Sequence, residues 1–237
     1  MTNQERTTPE ASRGTRSQTL ERALDVLHLL TDGRGRSSRE IAEEVGLHRS
    51  IVYRILRTFE DRSMVARDAS GRYHLGLGLT ALAGSGLASL QADVDLVLQE
   101  LADATGTTAI FCTGQLDEAV VLASARPQRK PASVMLSSGS RFPLGAGAPG
   151  SAILSLSPAN EHDSDETRLA RQTGFTHSKG EPFVGVETAA VPLRLLNGGE
   201  AALGVVTPIG DLDLEAGLKE LRYYAQRLAH PDDAWAT

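Results

Sequence analysis

The sequence predicts two domains: an α-rich winged helix-turn-helix module, then an α+β domain on an antiparallel sheet. Three observations predict this. Residues 18–76 run helix, helix, turn, helix, hairpin. Beyond residue 106 the pattern changes to paired strand-like runs joined by short turns, with helices at the ends. The net charge of −6 is also unevenly spread. Residues 1–76 hold 13 Arg, no Lys and 11 acidic residues, a balance of +2, and the remainder carries −8. An Arg-only first third on an acidic remainder suits one module that meets a polyanion and one that does not.

The polar N-terminal stretch MTNQERTTPEASRGTRSQT lacks an apolar h-region. It reads as a disordered tail over residues 1–17 and not as a secretory signal. In SQTLERALDVLHLLTDG, Leu20, Ala23, Leu24, Leu27 and Leu30 recur at helical spacing, and Asp32-Gly33 ends the helix. GRGR is a loop. Ser37 stands three residues before Glu40, a capping-box spacing that opens a second helix with Ile41, Ala42 and Val45 inward. After Gly46-Leu47 a third helix buries Val52, Ile55, Leu56 and Phe59. MVARDASGRYHLG is a hairpin turning at Ala69-Ser70-Gly71. Residues 77–90 form a linker helix, and a further helix with Val94, Leu96, Val97, Leu98 and Leu101 stops at Gly106. TTAIFCTG, EAVVLASA, VETAAVPLRLL and EAALGVVTP are strands, the last two joined at Asn197-Gly198-Gly199. LDLEAGLKELRYYAQRLA is a closing amphipathic helix. The expected map is tail 1–17, winged module 18–76, linker helix 77–90 and α+β domain 91–237.

EIAEEVGLHRSIVYRILRTF, residues 40–59, carries the functional signal. Ala42 is small where two helices cross, and Gly46 accepts the positive φ of the turn. The same spacing also fits an ordinary helical hairpin. The outward set decides between them: His48, Arg49, Ser50, Tyr53, Arg54 and Arg57 can all hydrogen-bond, three are cationic, and none is acidic. A merely solvated face would mix acidic with basic residues. This face suits a helix in the major groove. Arg49, Ser50, Tyr53 and Arg54 are the expected groove contacts. Ser38, His48, Arg57 and the hairpin's Arg67 and Arg72 complete the expected DNA surface, with Arg57 and Arg72 on phosphate.

Several stretches resemble the IclR family of bacterial transcriptional regulators. They are QTLERALDVLHLL, SSREIAEEVGLHRSIVYRILRTFEDRSMVARD, GRYHLGLGL, GSRFPLGAGAPGSAIL, GFTHSKGEPFVGVETAAVPL and EAALGVVTP. The resemblance covers nearly the whole chain beyond the tail. It implies a winged helix-turn-helix followed by a GAF-like effector-binding domain, and a homodimer or dimer of dimers on double-stranded operator DNA. It also implies repression more often than activation, no enzymatic activity and no cofactor.

Family effector contacts carried onto this chain fall on Gly145, Ala146, Gly147, Ala148, Ser178, Thr188 and Val206. Gly145, Gly147 and Ser151 replace residues that are frequently His, Thr and Lys in the family. The 158–173 stretch is shorter than usual, so an element flanking the pocket is expected to be missing. The LGAGAPG loop and a helix starting near Pro149 would favour a carboxylate or other anion, such as a small organic or aromatic acid. Alternatively, these small residues only let the loop pack closely on the sheet.

His162-Asp163 and His177 with Glu181 match no standard metal site and lie in expected polar loops, so no metal is expected. Cys112 alternates with apolar residues as a buried small side chain. A lone cysteine suits a reducing cytoplasm, and no membrane span is expected. His28 and His74 read as structural, Gly84-Ser85-Gly86 is too isolated for a phosphate loop, and no G-x-S-x-G elbow is present. Two alternatives stay open: a DNA-binding regulator whose second domain only oligomerises, and an enzyme with a structural N-terminal arm.

Overall fold

The computed structural model describes residues 17–84, 88–129, 134, 136–195 and 198–229. The expected tail lies outside the described residues except for Ser17, as do 85–87 of the expected linker helix. The chain divides into two compact units, Met1–Ser85 and Gly86–Thr237.

The first unit contains α1 (Gln18–Leu29), α2 (Ser38–Glu44), α3 (Arg49–Asp61), a hairpin of β1 (Val65–Arg67) and β2 (Tyr73–Leu75), and α4 (Gly78–Gly84). A 3-10 turn, Leu30–Asp32, follows α1, and Gly33 closes it at positive φ. The core joins Val26, Leu30, Ile41, Val52, Leu56, Val65 and Tyr73. One expectation fails here: Leu20 and Leu24 are 59% and 45% exposed. The buried stripe of α1 passes through Ala23, Val26 and Leu30, so these two leucines fall on its outer side. The GRGR stretch is more than a loop. Arg36 forms an antiparallel bridge to Tyr73, which ties the α1–α2 connection to the hairpin.

The second unit contains α5 (Ala88–Thr105), β3 (Thr108–Gln115), β4 (Glu118–Ala125), β5 (Arg141–Pro143) and α6 (Gly147–Leu156). There follow α7 (Asp165–Thr173), β6 (Thr176–Lys179), β7 (Val186–Arg194), β8 (Glu200–Pro208) and α8 (Leu214–Ala225). The strands form an antiparallel sheet in the order β5-β4-β3-β8-β7-β6. One face packs Phe111, Val191, Leu193, Leu203 and Val205 under α5 and α8. The other packs Ile110, Cys112, Val121, Ala190 and Val206 under α6. Coverage on both faces explains why β7 and β8 are buried almost end to end instead of alternating. A register shift at Phe111/Cys112 lets Val121 and Ala123 of β4 serve opposite faces.

Further corrections follow from this unit. The helix expected to start near Pro149 begins at Gly147. The 158–173 stretch, read as shorter than usual, carries α7, capped by the Ser164 hydroxyl and closed by Gly174 at positive φ. Neither β5 nor β6 was expected. His177 lies in β6, not in a polar loop, and Asp163 is buried against Arg171 at 2.5 Å.

Candidate nucleic-acid interface

The α2–turn–α3 segment is fixed by local chemistry. Ser37 accepts from the Glu40 amide, and the Glu40 carboxylate accepts from the Ser37 amide at 2.7 Å, so the expected capping box is complete. Those bonds, with Arg72 nearby, hold the Glu40 carboxyl below its ordinary range. Gly46 sits at φ +65°, and the Leu47 amide donates to the Ala42 carbonyl at 3.0 Å. A side chain at 46 would be strained by that φ. His48 caps α3, and its Nδ1 lies 2.8 Å from the Ser50 hydroxyl.

Val52, Ile55 and Leu56 are buried, and His48, Arg49, Ser50, Tyr53, Arg54 and Arg57 are all exposed. The six expected groups therefore share the outward side of one short helix. Ser38 is the first residue of α2 and is half-buried. Among the described residues, the guanidinium groups of Arg49, Arg54 and Arg57 have no internal partner.

The two hairpin arginines differ from these three. Arg67 donates to the Gly71 carbonyl at 3.1 Å and stacks 5.6 Å from the Tyr73 ring centroid. Arg72 donates to the Gly35 carbonyl at 2.5 Å and reaches Glu40 at 3.4 Å. Both bind the hairpin to itself or to α2, and a phosphate contact would use the donors left over. Asp68 organises the turn by accepting from the Ser70 and Arg72 amides, and it meets His74 Nε2 at 2.9 Å. The Ser70 hydroxyl, His74 and those amides hold its carboxyl well below the usual range.

Sequence reasoning missed Arg36. Its guanidinium takes both carboxylate oxygens of Asp32 at 2.7 Å, Glu44 at 3.2 Å and the Leu29 carbonyl at 2.8 Å. The Asp32 bond is the main cause of the raised Arg36 pKa and of the depressed Asp32 pKa. The aspartate four residues upstream was the available signal. The contact to α2 was not local enough to read.

In the second unit the expected effector residues mostly converge. The Ala148 amide donates to the Ser178 hydroxyl at 2.9 Å. Ser178 Oγ lies 2.7 Å from Thr188 Oγ1 and donates to the Glu181 carbonyl at 3.1 Å. Thr188 pairs with Val206 across β7 and β8. A Cβ on Gly147, at φ +75°, would stand 2.5 Å from Pro182 Cδ. Ala146 caps α6 from outside, and Gly145 is exposed with open space beside it. The first-turn amide of α6 is thus already satisfied by Ser178. Three cavities with described walls lie elsewhere: between α1 and α3, against α8 near Phe175, and beside Leu116 and Ser157.

Glu187 is buried and was not singled out from the sequence. It meets His177 Nε2 at 2.7 Å, Lys179 at 3.3 Å and the Gly210 amide at 2.8 Å. Burial raises its pKa, but the Gly210 amide, His177 and Lys179 outweigh burial and leave it lowered. Cys112 is fully buried, and burial pushes its thiol up to about 12. Among the described residues, no three His, Cys, Asp or Glu side chains are grouped to hold a metal ion. No helix among them is long and apolar enough to cross a membrane.

Residues 19–69 match the model of the IclR helix-turn-helix domain. The chain is 33% identical over 162 residues to the HTH-type transcriptional regulator Rv1719 of Mycobacterium tuberculosis, covering 67% of this chain and 62% of that protein. It is also 33% identical over 171 residues to the glycerol operon regulatory protein of Streptomyces griseus, covering 70% of this chain and 66% of that one. It therefore spans just under two thirds of the length of these relatives. An IclR transcriptional regulator from Alicyclobacillus acidocaldarius superposes with a TM-score of 0.76 at 25% identity, covering 94% of this chain and 100% of that chain. An IclR homolog from Microbacterium hydrocarbonoxydans, complexed with 4-hydroxybenzoate, shares the fold at a TM-score of 0.72 and 19% identity, covering 89% of this chain and 97% of that one. The helix-turn-helix match, the relatives and the superposition agree: residues 19–69 form an IclR helix-turn-helix domain, and the chain as a whole is similar to IclR transcriptional regulators.

Proposed function

We propose that the chain is a sequence-specific DNA-binding repressor of the cytoplasm. It reads operator DNA as a homodimer or dimer of dimers and answers a small organic or aromatic acid bound in a GAF-like second domain. The observation that carries the DNA reading is the outward side of α3, where, among the described residues, Arg49, Arg54 and Arg57 stand exposed without internal partners. Arg49, Ser50, Tyr53 and Arg54 address base edges. Arg57, Ser38, His48 and the spare donors of Arg67 and Arg72 address the backbone. One module covers a short half-site, so a two-fold dimer reads an inverted repeat. The segment 77–90 is the proposed linker and dimer contact, and the strong exposure of Leu77 and Leu82 supports it. We keep the division 18–76, 77–90 and 91–237 for reader, linker and sensor.

The sensor acts by population shift: a ligand that prefers one dimer geometry moves the two readers into or out of register with the half-sites. A relative of the same fold holds 4-hydroxybenzoate, which supports an aromatic acid as effector class. A second reading is favoured by one observation. The Ser178 hydroxyl caps the α6 amide, and Pro182 packs against Gly147, so the loop is filled by the chain itself. On that reading the second domain only assembles the protein.

The test is selection of bound fragments from genomic DNA, then titration of the best fragment at rising salt. An enriched inverted repeat is expected, with affinity falling steeply in salt. Arg54→Ala should lose about 1–3 kcal/mol and relax one position of the site. Weak, sequence-independent binding unaltered by Arg54→Ala would overturn the reading. Equal effector affinity for free and DNA-bound protein would overturn the population shift, and no binding across small organic acids would favour assembly alone.

A further inference from the structure

The first unit contains a cavity of about 380 Å³ between α1 and α3. Its size falls in the range of small-ligand sites, ~300–1,000 Å³. The cavity has a simple origin. Thr19 and Ala23 are small residues one turn apart on the α1 side that faces α3, so α1 does not fill the space above Ile51 and Phe59. Ala23, Ile51 and Phe59 supply an apolar floor.

Two cations stand at this floor. Arg22 precedes Ala23 on α1, and Arg54 lies one turn beyond Ile51 on α3. Among the described residues neither guanidinium has an ion-pair or hydrogen-bond partner. Asp25 stands one turn from Arg22 on α1, at the i,i+3 spacing, yet among the described residues no ion pair joins the two. Two unpaired arginines beside an apolar pocket leave guanidinium donors free for an anionic ligand. Thr19 and Thr58 add hydroxyls to the wall, with Thr58 donating to the Arg54 carbonyl at 2.9 Å and keeping its lone pairs free.

We propose that this cavity binds a small amphiphilic carboxylate, its apolar body on Ala23, Ile51 and Phe59 and its carboxylate on Arg22 and Arg54. Arginine forks match a carboxylate with two parallel hydrogen bonds. The site stands apart from the expected effector loop of the second unit. Its position gives it a consequence that rests on the DNA-reading role proposed above. Arg54 is shared between the cavity and the outward side of α3, so a bound carboxylate withdraws it from DNA. The ligand then competes with the operator directly, without a domain rearrangement.

The test uses the full chain and 2-naphthoate, a bicyclic aromatic carboxylate, by isothermal titration calorimetry. The expected result is saturable binding with one site in the first unit; any binding by the second unit adds a separate event. Arg22→Gln should weaken the first-unit event at least tenfold by removing one fork, and Ala23→Leu should do the same by filling the floor. Thr188→Val, at the expected effector site of the second unit, should leave this first-unit event unchanged and alter only a second event. Thermal melting of each variant separates lost binding from lost fold, and Arg22→Gln alters only a partly exposed side chain. 2-Naphthoate should also lower operator affinity in the wild type and not in Arg22→Gln. No saturable binding would overturn the proposal. So would loss of binding with Thr188→Val, which places the ligand in the second unit. A third overturning result is Arg22→Gln weakening DNA binding with naphthoate binding untouched, which makes Arg22 a phosphate contact. Naphthoate binding without any DNA binding would refute the operator reading and leave the cavity assignment standing.

Discussion

Gly145 and Gly147 are two residues apart in one loop, and substitution by alanine should affect them very differently. Gly147 has φ +75°, where an L side chain is strained by about 1–2 kcal/mol. Its new Cβ would stand 2.5 Å from Pro182 Cδ, 2.7 Å from Pro182 N and 2.9 Å from the Glu181 carbonyl carbon. Two of those neighbours are backbone atoms that cannot swing aside, and overpacking of this kind costs about 1–3 kcal/mol. Gly147→Ala should therefore destabilise the second unit by about 2–5 kcal/mol. At Gly145 the added Cβ meets open space. Gly145→Ala should change stability by no more than about 0.5 kcal/mol. Urea titration followed by far-UV circular dichroism measures both. Hydrogen exchange of the α6 amides locates the loss, since the Ala148 amide is held by Ser178. Equal effects of the two substitutions would refute the reasoning, because they would show that the loop is not clamped at Gly147. A stable Gly147→Ala protein that gained an open effector site would refute it too.

Three further outcomes are expected. Ser37→Ala removes half of the capping box and should cost about 1 kcal/mol in denaturant titration, with α2 exchanging its first amides faster. Glu187 has a lowered pKa in the folded chain, so its contribution is present above the ordinary glutamate value and is lost as pH falls through the folded one. Acid titration should show that loss in the wild type below about pH 4.5, and Glu187→Gln should flatten this part of the curve. Cys112 is buried with its thiol raised to about 12, so iodoacetamide at pH 8 should modify it at the rate of unfolding. Fast modification of the native chain would contradict the packing of β3.

The elements legible in the sequence are those whose signal is local. The Ser37–Glu40 spacing, Gly46 and the 52-55-56-59 stripe lie within one or two helical turns, and each appears where the pattern put it. The central strands were legible because β-branched and small apolar residues run between turn signals. The edge strands β5 and β6 were not, since three or four residues carry no readable period. Helix α7 was hidden by its polarity: DETRLARQT offers few apolar residues, and the Ser164 cap and Gly174 stop carried the signal. At the interface the outward arginines of α3 were legible, and the internal engagements of Arg67 and Arg72 were not. Those depend on Gly35, Glu40 and Gly71 being brought near by folding. At the effector loop the small residues left two readings open in sequence, a pocket or close packing; in the structure Pro182 packs against Gly147 and Ser178 holds the Ala148 amide, while Gly145 stands beside open space.

The bridge between Arg36 and Tyr73 has a wider meaning for how the first unit can change. The Arg36 amide and carbonyl pair with Tyr73 while its guanidinium joins the end of α1 to Glu44 of α2. One residue is thus a shared joint for hairpin, first helix and second helix. A displacement of the hairpin by a few ångströms is carried through that joint to α2, and from α2 to the turn that aims α3. Lengthening the hairpin tip is free of this constraint, because Ala69 and Ser70 lie beyond the pairing. The hairpin tip can therefore vary in length while the base of the hairpin stays tied to α1 and α2 through Arg36.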